Sequence, residues 1–141
     1  MNTENNTHNI LLSGFQRSFL DFANQLFDYH TDALLKIYDI IVMSEAGGEI
    51  DGEVSCEYVI CPQSLELGGK IKCNGVITCG MNTRCTLSFS SIAYDKALLS
   101  VNRRIDHRNR SILQCEKHVD YYECLTVYEN LVLQGLQILT I

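Results

Sequence analysis

The sequence predicts an α+β fold in which an N-terminal helical hairpin, or one long helix, packs on a mainly antiparallel β-sheet. The prediction depends on a change of pattern: apolar residues recur every three or four positions before residue 43, and every second position from residue 53 onward. We therefore expect a helical part at residues 10–43 and a β-rich part at residues 53–141. Both parts are predicted to belong to a single domain, residues 1–141, because this length is usual for one domain.

Two helices are predicted in the first part. Ser13 and Gln16 have the spacing of a capping box, in which each side chain satisfies a free backbone N–H of the other residue. The apolar residues that follow lie on one helical face as far as Phe27. Thr31 is a suitable N-cap for a second helix, whose predicted buried residues are Leu34, Ile37, Tyr38 and Ile41.

Strands and turns are predicted after residue 53. Residues 54–60 alternate between apolar and polar side chains, and Pro62 ends this strand. The segment 68–70, Gly-Gly-Lys, favours a three-residue hairpin loop, and Asn74-Gly75 is typical of a second hairpin turn. A further half-buried strand is predicted at residues 85–89.

The last third of the chain gives less decisive patterns. Residues 91–101 fit either a short helix or a strand. Residues 112–119 and 121–128 are rich in β-branched and aromatic side chains and are predicted to be extended. Residues 131–141 are almost uncharged and predict a buried terminal strand, with Gly135 at a bulge.

The cysteines indicate a reducing environment. Seven thiols cannot all pair, and the N-terminal residues lack the pattern of a secretory signal. We therefore expect a cytoplasmic protein with free thiols and no membrane partner. Most of the thiols are expected on the buried side of strands, where cysteine behaves as a small apolar residue. The cysteines are Cys56, Cys61, Cys73, Cys79, Cys85, Cys115 and Cys124.

Catalytic and metal-binding motifs are not evident. Cys115 and His118 form one pair with zinc-ligand spacing, but a structural zinc site needs four ligands. Phosphate-loop, dinucleotide-binding, nucleophile-elbow and zinc-protease motifs are not found. We therefore predict no cofactor, no metal and no catalytic residues, and we favour a function other than catalysis.

A basic cluster is the strongest local signal for function. Within eight residues it brings together four of the six arginines of the chain and one histidine. Guanidinium groups match the geometry of carboxylates and phosphates, so the cluster is a candidate site for an anion or for an acidic partner. Its predicted binding residues are Arg103, Arg104, His107, Arg108 and Arg110.

The charges are distributed unevenly along the chain. Residues 1–69 contain eleven acidic and two basic side chains, whereas residues 70–141 contain six acidic and nine basic ones. This asymmetry favours a protein partner or a homo-oligomer in which opposite charges meet. Nucleic acid is less favoured, because the net charge is -6 and the arginine cluster contains no aromatic residue that would stack on bases.

The N-terminal pattern is similar to the opening of cystatin-like cone folds, which include the SnoaL-like family. The similarity lies in residues 15–27 and in the segment 32–38, Asp-Ala-Leu-Leu-Lys-Ile-Tyr. It implies two helices that cover a curved antiparallel sheet, and a cone that holds a small ligand or an enzyme site.

The function favoured by these observations is that of an intracellular, non-enzymatic binding or regulatory protein that acts through protein–protein contacts. Composition is compatible with a viral, phage or bacterial accessory, effector or immunity factor. A cone-shaped small-molecule binder or enzyme is one alternative. A metal-stabilised nucleic-acid-binding protein is another.

Overall fold

The computed structural model describes residues 8–47, 50, 52–65 and 70–140. Nine strands and two helices are assigned in these residues. Their bounds in chain order are β1 Ile10–Ser13, α1 Arg17–Ala23, β2 Ile37–Met43, β3 Val54–Pro62, β4 Ile71–Cys79, β5 Leu87–Ala93, β6 Lys96–Val101, β7 Ile105–His107, β8 Arg110–Ile112, β9 Cys115–Asp120 and α2 Val127–Thr140.

The strand order corrects the predicted fold. The chain has both helices and strands, as expected, but its main sheet is mixed, with the order β1-β2-β3-β4-β5-β6-β9. The pairs β1–β2, β2–β3 and β4–β5 are parallel, while β5–β6 and β6–β9 are antiparallel. The prediction of a helical hairpin on a mainly antiparallel sheet is therefore wrong. The topology also differs from the cystatin-like cone that the N-terminal pattern resembles.

The predicted second helix is replaced by strand β2. This strand pairs in parallel with a neighbour on each side, Ile40 lying opposite Ile10 in β1 and Tyr58 in β3. Residues 40–43 are all buried. A strand covered on both faces is a continuous apolar run without alternation, and such a run cannot be distinguished from a buried helix by periodicity.

The predicted first helix is present only as the short helix α1. Gln16 is its N-cap and makes no capping bond through its side chain. Ser13, the expected cap, is instead the last residue of β1, and its carbonyl accepts a bond from the N–H of Ser44 at 3.0 Å. Parallel pairing with β2 therefore takes the place of the predicted capping box.

Strand β3 confirms the prediction for residues 54–60, and Pro62 is its last residue. Asn74-Gly75 was predicted to form a turn but lies within β4. A Cβ atom on Gly75 would lie 2.4 Å from the ring of Tyr58, so this glycine allows close approach of an aromatic side chain. The predicted hairpin loop at residues 68–70 falls largely outside the described residues.

The chain divides into two compact units, one extending to Val76 and the other from Ile77 to Leu139. The terminal residue of α2, Thr140, groups with the first unit. The single-domain assignment stays a prediction. The first unit contains a buried apolar cluster from β1, β2, β3 and the connection between β2 and β3. Its members are Leu11, Tyr38, Ile41, Met43, Ile50, Val54, Cys56, Val59 and Cys61.

The second unit contains an antiparallel ladder. Strand β6 pairs with β5 on one side and β9 on the other. Residues 91–101 are therefore not helical: they comprise the end of β5, a turn at residues 94–95, and β6. The register between β5 and β6 shifts between Phe89 and Ser91, as at a β-bulge. The predicted strand at 85–89 is confirmed from Leu87 onward, because β5 begins there.

The C-terminal segment is helix α2, not the predicted terminal strand. Thr126 and Glu129 form a reciprocal capping box: Thr126 N–H donates to Glu129 Oε1 at 2.9 Å, and Glu129 N–H donates to Thr126 Oγ1 at 3.1 Å. Residues 130–136 are all buried. Asn130, Gln134 and Gln137 recur at helical spacing, but they are uncharged and the first two are buried, so the charged stripe that normally reveals an amphipathic helix is missing from residues 130–140. Gly135 lies inside this helix rather than at a bulge. The prediction that residues 121–128 are extended is also wrong, because residues 121–126 form turns and irregular chain and α2 begins at Val127.

Candidate protein-interaction surface

The arginine cluster forms a β-hairpin in the second unit. Strands β7 and β8 pair antiparallel, with His107 opposite Arg110. Arg108 and Asn109 connect them and have φ angles of 49° and 65°. Two positive φ angles in a two-residue loop are the mark of a type I′ turn, whose twist matches that of the flanking strands. We call residues 103–112 the arginine hairpin.

Polar bonds at its base fix the shape of the hairpin. Arg104 Nε lies 2.9 Å from Asp106 Oδ1, and Arg104 Nη2 donates to Ser111 Oγ at 3.2 Å. Ser111 Oγ also donates to Asp106 Oδ1 at 2.6 Å. The bond from Ser111 and the bond and charge of Arg104 lower the pKa of Asp106. Arg104 and Asp106 therefore hold the two strands of the hairpin in place.

Two further arginines donate to backbone carbonyls. Arg103 Nη2 lies 2.7 Å from the carbonyl oxygen of Arg84. Arg110 Nη2 lies 2.6 Å from that of Ile138, in the last turn of α2. The last four carbonyls of a helix lack partners within the helix and carry partial negative charge, so a cation is stabilising there.

The predicted binding residues therefore have different surroundings. His107 is buried, whereas the four arginines are exposed. Arg103, Arg104 and Arg110 also make the bonds described above, and the exposed faces of their side chains are directed to solvent around a fixed turn. The structure brings the arginines together in one hairpin, and their role in binding stays a prediction.

Strand β9 is a second exposed feature of this unit. It is at the end of the strand order, and β6 is its neighbour within the described chain. Five of its six residues are exposed, and Val119 is half-buried. This open edge has no signal in the local sequence, because an edge is defined by strand order rather than by local pattern.

A groove of about 550 Å³ lies beside this strand. Lys117 and Val119 line it from β9, and Gln134 and Gln137 line it from α2. The two glutamines are three positions apart and therefore neighbour each other on the helix surface. Their amides supply donors and acceptors next to a strand edge, which is the type of surface that an extended polypeptide binds.

The cysteines have the largely buried surroundings that sequence predicted. All seven are free; Cys115 and Cys124 are exposed, and Cys73 is half-buried. Burial, with a smaller contribution from Cys73, raises the pKa of Cys56 to about 12 and that of Cys61 to about 11. These two thiols are protonated at neutral pH and are poor nucleophiles.

The suggested metal pair is separated by the geometry of β9. Cys115 lies opposite Val101 and His118 lies opposite Leu98, so the two side chains leave opposite faces of the strand. Within the described ranges, no group of three histidine, cysteine or acidic residues is placed to hold a metal ion.

Comparisons with known proteins give no match to a family model, a curated protein or a solved structure. No described helix is both long and apolar enough to cross a membrane.

Proposed function

We propose that this is a non-enzymatic binding or regulatory protein that acts in the cytoplasm through protein–protein contacts, and that it self-associates. The observation that carries the proposal is the arginine hairpin. The hairpin contains four arginines and one aspartate, so these residues give it a formal net charge of +3. An exposed, pre-shaped cationic turn is suited to an acidic protein surface, because little conformational entropy is lost when the partner binds.

The surroundings of the thiols support the cytoplasmic part of the proposal. Seven free cysteines, four of them buried, are compatible with a compartment that keeps thiols reduced. The raised pKa values of Cys56 and Cys61 also favour a packing role over a nucleophilic one.

Fluorescence anisotropy with labelled probes tests the proposal. The probes are a poly-glutamate peptide, a neutral glycine-serine peptide of equal length and a single-stranded oligonucleotide, each titrated at low and moderate salt. We expect the acidic peptide to bind more tightly than the other two, with an affinity that decreases as salt screens the charges. Tighter binding of the oligonucleotide would support the nucleic-acid alternative instead.

Charge reversal locates the binding surface. The double variant Arg103→Glu, Arg108→Glu is expected to weaken binding of the acidic peptide about tenfold, because two attractive contacts become repulsive. The double variant Arg17→Glu, Lys36→Glu is the matched control, since it changes the net charge equally at two exposed residues of the first unit. Equal losses in the control and the hairpin variant would contradict a specific role for the hairpin.

A further inference from the structure

The geometry points to a second copy of this chain as the partner of β9, paired antiparallel with Val119 at the two-fold axis. This inference rests on the self-association included in the proposed function and assigns a surface and a register to it. It uses β9 rather than the arginine hairpin, so the two are tested separately.

The outward-facing backbone groups of β9 can be identified. Tyr121 N–H donates to the carbonyl of Asp95 at 2.8 Å, which makes 95 and 121 a hydrogen-bonded pair. Bonded and non-bonded pairs alternate along an antiparallel ladder. Val119 and Lys117 are therefore bonded to β6, whereas the backbone N–H and C=O groups of His118 and Asp120 face away from β6.

Charge then selects one register. A symmetric antiparallel pair places residues at equal distances on either side of the axis opposite each other. Axes at Glu116, Lys117 or Asp120 place each of these residues opposite its own copy, and an axis at His118 places Glu116 opposite Asp120. Like charges directly opposite are destabilising. Among axes at residues 116–120, only one at Val119 avoids such a pair.

The Val119 axis also brings complementary groups together. His118 lies opposite Asp120 of the second copy, whose carboxylate also pairs with Lys96 of its own chain at 2.6 Å, and the symmetry produces this arrangement twice. Both residues have outward backbone groups, so each pair exchanges two backbone bonds in addition to the contact between side chains. Val119 meets its own copy at a non-bonded position, where side chains come closest. Charged side chains on an edge strand normally discourage pairing with another strand. On β9 the positions of the charges permit pairing with a second β9 in the Val119 register.

The structure limits how far this ladder extends. Tyr122 N–H donates to Asn130 Oδ1 at 2.8 Å, and the carbonyl of Tyr122 accepts from Asn130 Nδ2 at 2.9 Å. Because these groups are already bonded, pairing beyond Asp120 gains little. The groove between β9 and α2 leaves space beside the short ladder, with Gln134 and Gln137 on its other side.

Disulfide trapping tests the register. In a background with Cys115→Ser and Cys124→Ser, which removes the exposed thiols, Val119→Cys places two cysteines at a non-bonded pair, with Cα atoms about 4.5 Å apart. That separation suits a disulfide. In the matched control Lys117→Cys, four residues of strand separate the two cysteines, or roughly 13 Å. We expect Val119→Cys to form covalent dimer under mild oxidation at least tenfold faster than Lys117→Cys.

Sedimentation velocity tests the backbone bonds without cysteines. His118→Pro removes an outward N–H but no bond to β6, and it is expected to weaken dimerisation at least tenfold. His118→Ala keeps that N–H and is expected to weaken dimerisation only about threefold. Thermal unfolding of each variant shows whether it folds. If Val119→Cys does not fold, the comparison of His118→Pro with His118→Ala still tests the inference.

Several results would overturn the inference. They are a wild-type protein that remains monomeric as its concentration is raised, equal cross-linking rates for the two cysteine variants, or a dimer that persists in His118→Pro. A monomeric protein whose hairpin still binds the poly-glutamate peptide would remove this inference and leave the proposed binding function supported.

Discussion

The two outermost strands of the main sheet, β1 and β9, differ in how their outer edges are covered. On β1, the N–H of Leu12 donates to the carbonyl of His30 at 2.9 Å, and the N–H of His30 donates to the carbonyl of Ile10 at 2.8 Å. The segment around His30 therefore covers that edge. All four residues of β1 are buried, whereas most of β9 is exposed. In the part of the chain that the structure describes, no strand pairs with the outer edge of β9. An uncovered edge is a template for another strand, which is the basis of the pairing proposed above.

Truncation of one apolar side chain in each outer strand should give the largest contrast. Leu11 is buried in β1, and Leu11→Ala is expected to reduce the free energy of unfolding by about 2–5 kcal/mol, because it leaves a cavity. Val119→Ala, at the half-buried position of β9, is expected to cost below about 1 kcal/mol. Urea unfolding of dilute protein measures both. Equal costs would show that β9 is as enclosed as β1.

Asn130 tests what ends the open edge. It is 2% exposed and satisfies both backbone groups of Tyr122. Asn130→Ala leaves these groups unpaired and is expected to cost about 2–3 kcal/mol. Asn130→Asp keeps an acceptor for the Tyr122 N–H but turns a carboxylate oxygen toward the carbonyls of Tyr122 and Thr126, so it is expected to be less stable than Asn130→Ala at neutral pH. Urea unfolding in which Asn130→Asp is as stable as the wild-type protein would contradict the role given to the amide.

Proline substitution compares the edges through their N–H groups. His30→Pro removes the bond to the Ile10 carbonyl and is expected to cost about 1–2 kcal/mol beyond the cost of His30→Ala. His118→Pro removes an N–H that faces away from β6 and should cost under about 0.5 kcal/mol beyond His118→Ala in dilute monomer. The reverse order in chemical denaturation would mean that the outward direction is assigned to the wrong residues of β9.

Thiol reactivity provides the mildest test. Cys115 on β9 and Cys124 are exposed and should react promptly with a disulfide reagent, while Cys56 and Cys61 should react only after unfolding. The folded pKa values of Cys56 and Cys61 are raised to about 12 and about 11. Their contribution to stability is therefore present below pH 9 and lost as pH rises through 11–12. Rapid native labelling identified by peptide mass spectrometry at either buried cysteine would contradict this arrangement.

Local patterns identified only part of the fold. Residues 54–60 were identified because one face of β3 is partly exposed, so its side chains alternate. Residues 40–43 of β2 were not, because this part of the strand is buried on both faces and its apolar run does not alternate. Ser13-x-x-Gln16 and Thr126-x-x-Glu129 have the same capping pattern, yet only the second caps a helix. Ser13 does not cap α1 because it is the last residue of β1, where its carbonyl accepts a bond from the N–H of Ser44.

The candidate surface was predictable to a similar extent. The arginines were visible as a cluster, since they are near each other in the chain. The bond from Arg110 to the carbonyl of Ile138 was not, because the two residues are far apart in sequence. The open edge at β9 depends on pairing along the whole strand order, which no local window contains.

The measurement that tests the central claim most directly is the disulfide-trapping rate at Val119 relative to Lys117 in the background without exposed thiols. Pairing of two β9 strands about Val119 predicts covalent dimer at least tenfold faster for Val119→Cys. Equal rates in the two variants, or a faster rate for Lys117→Cys, would contradict it.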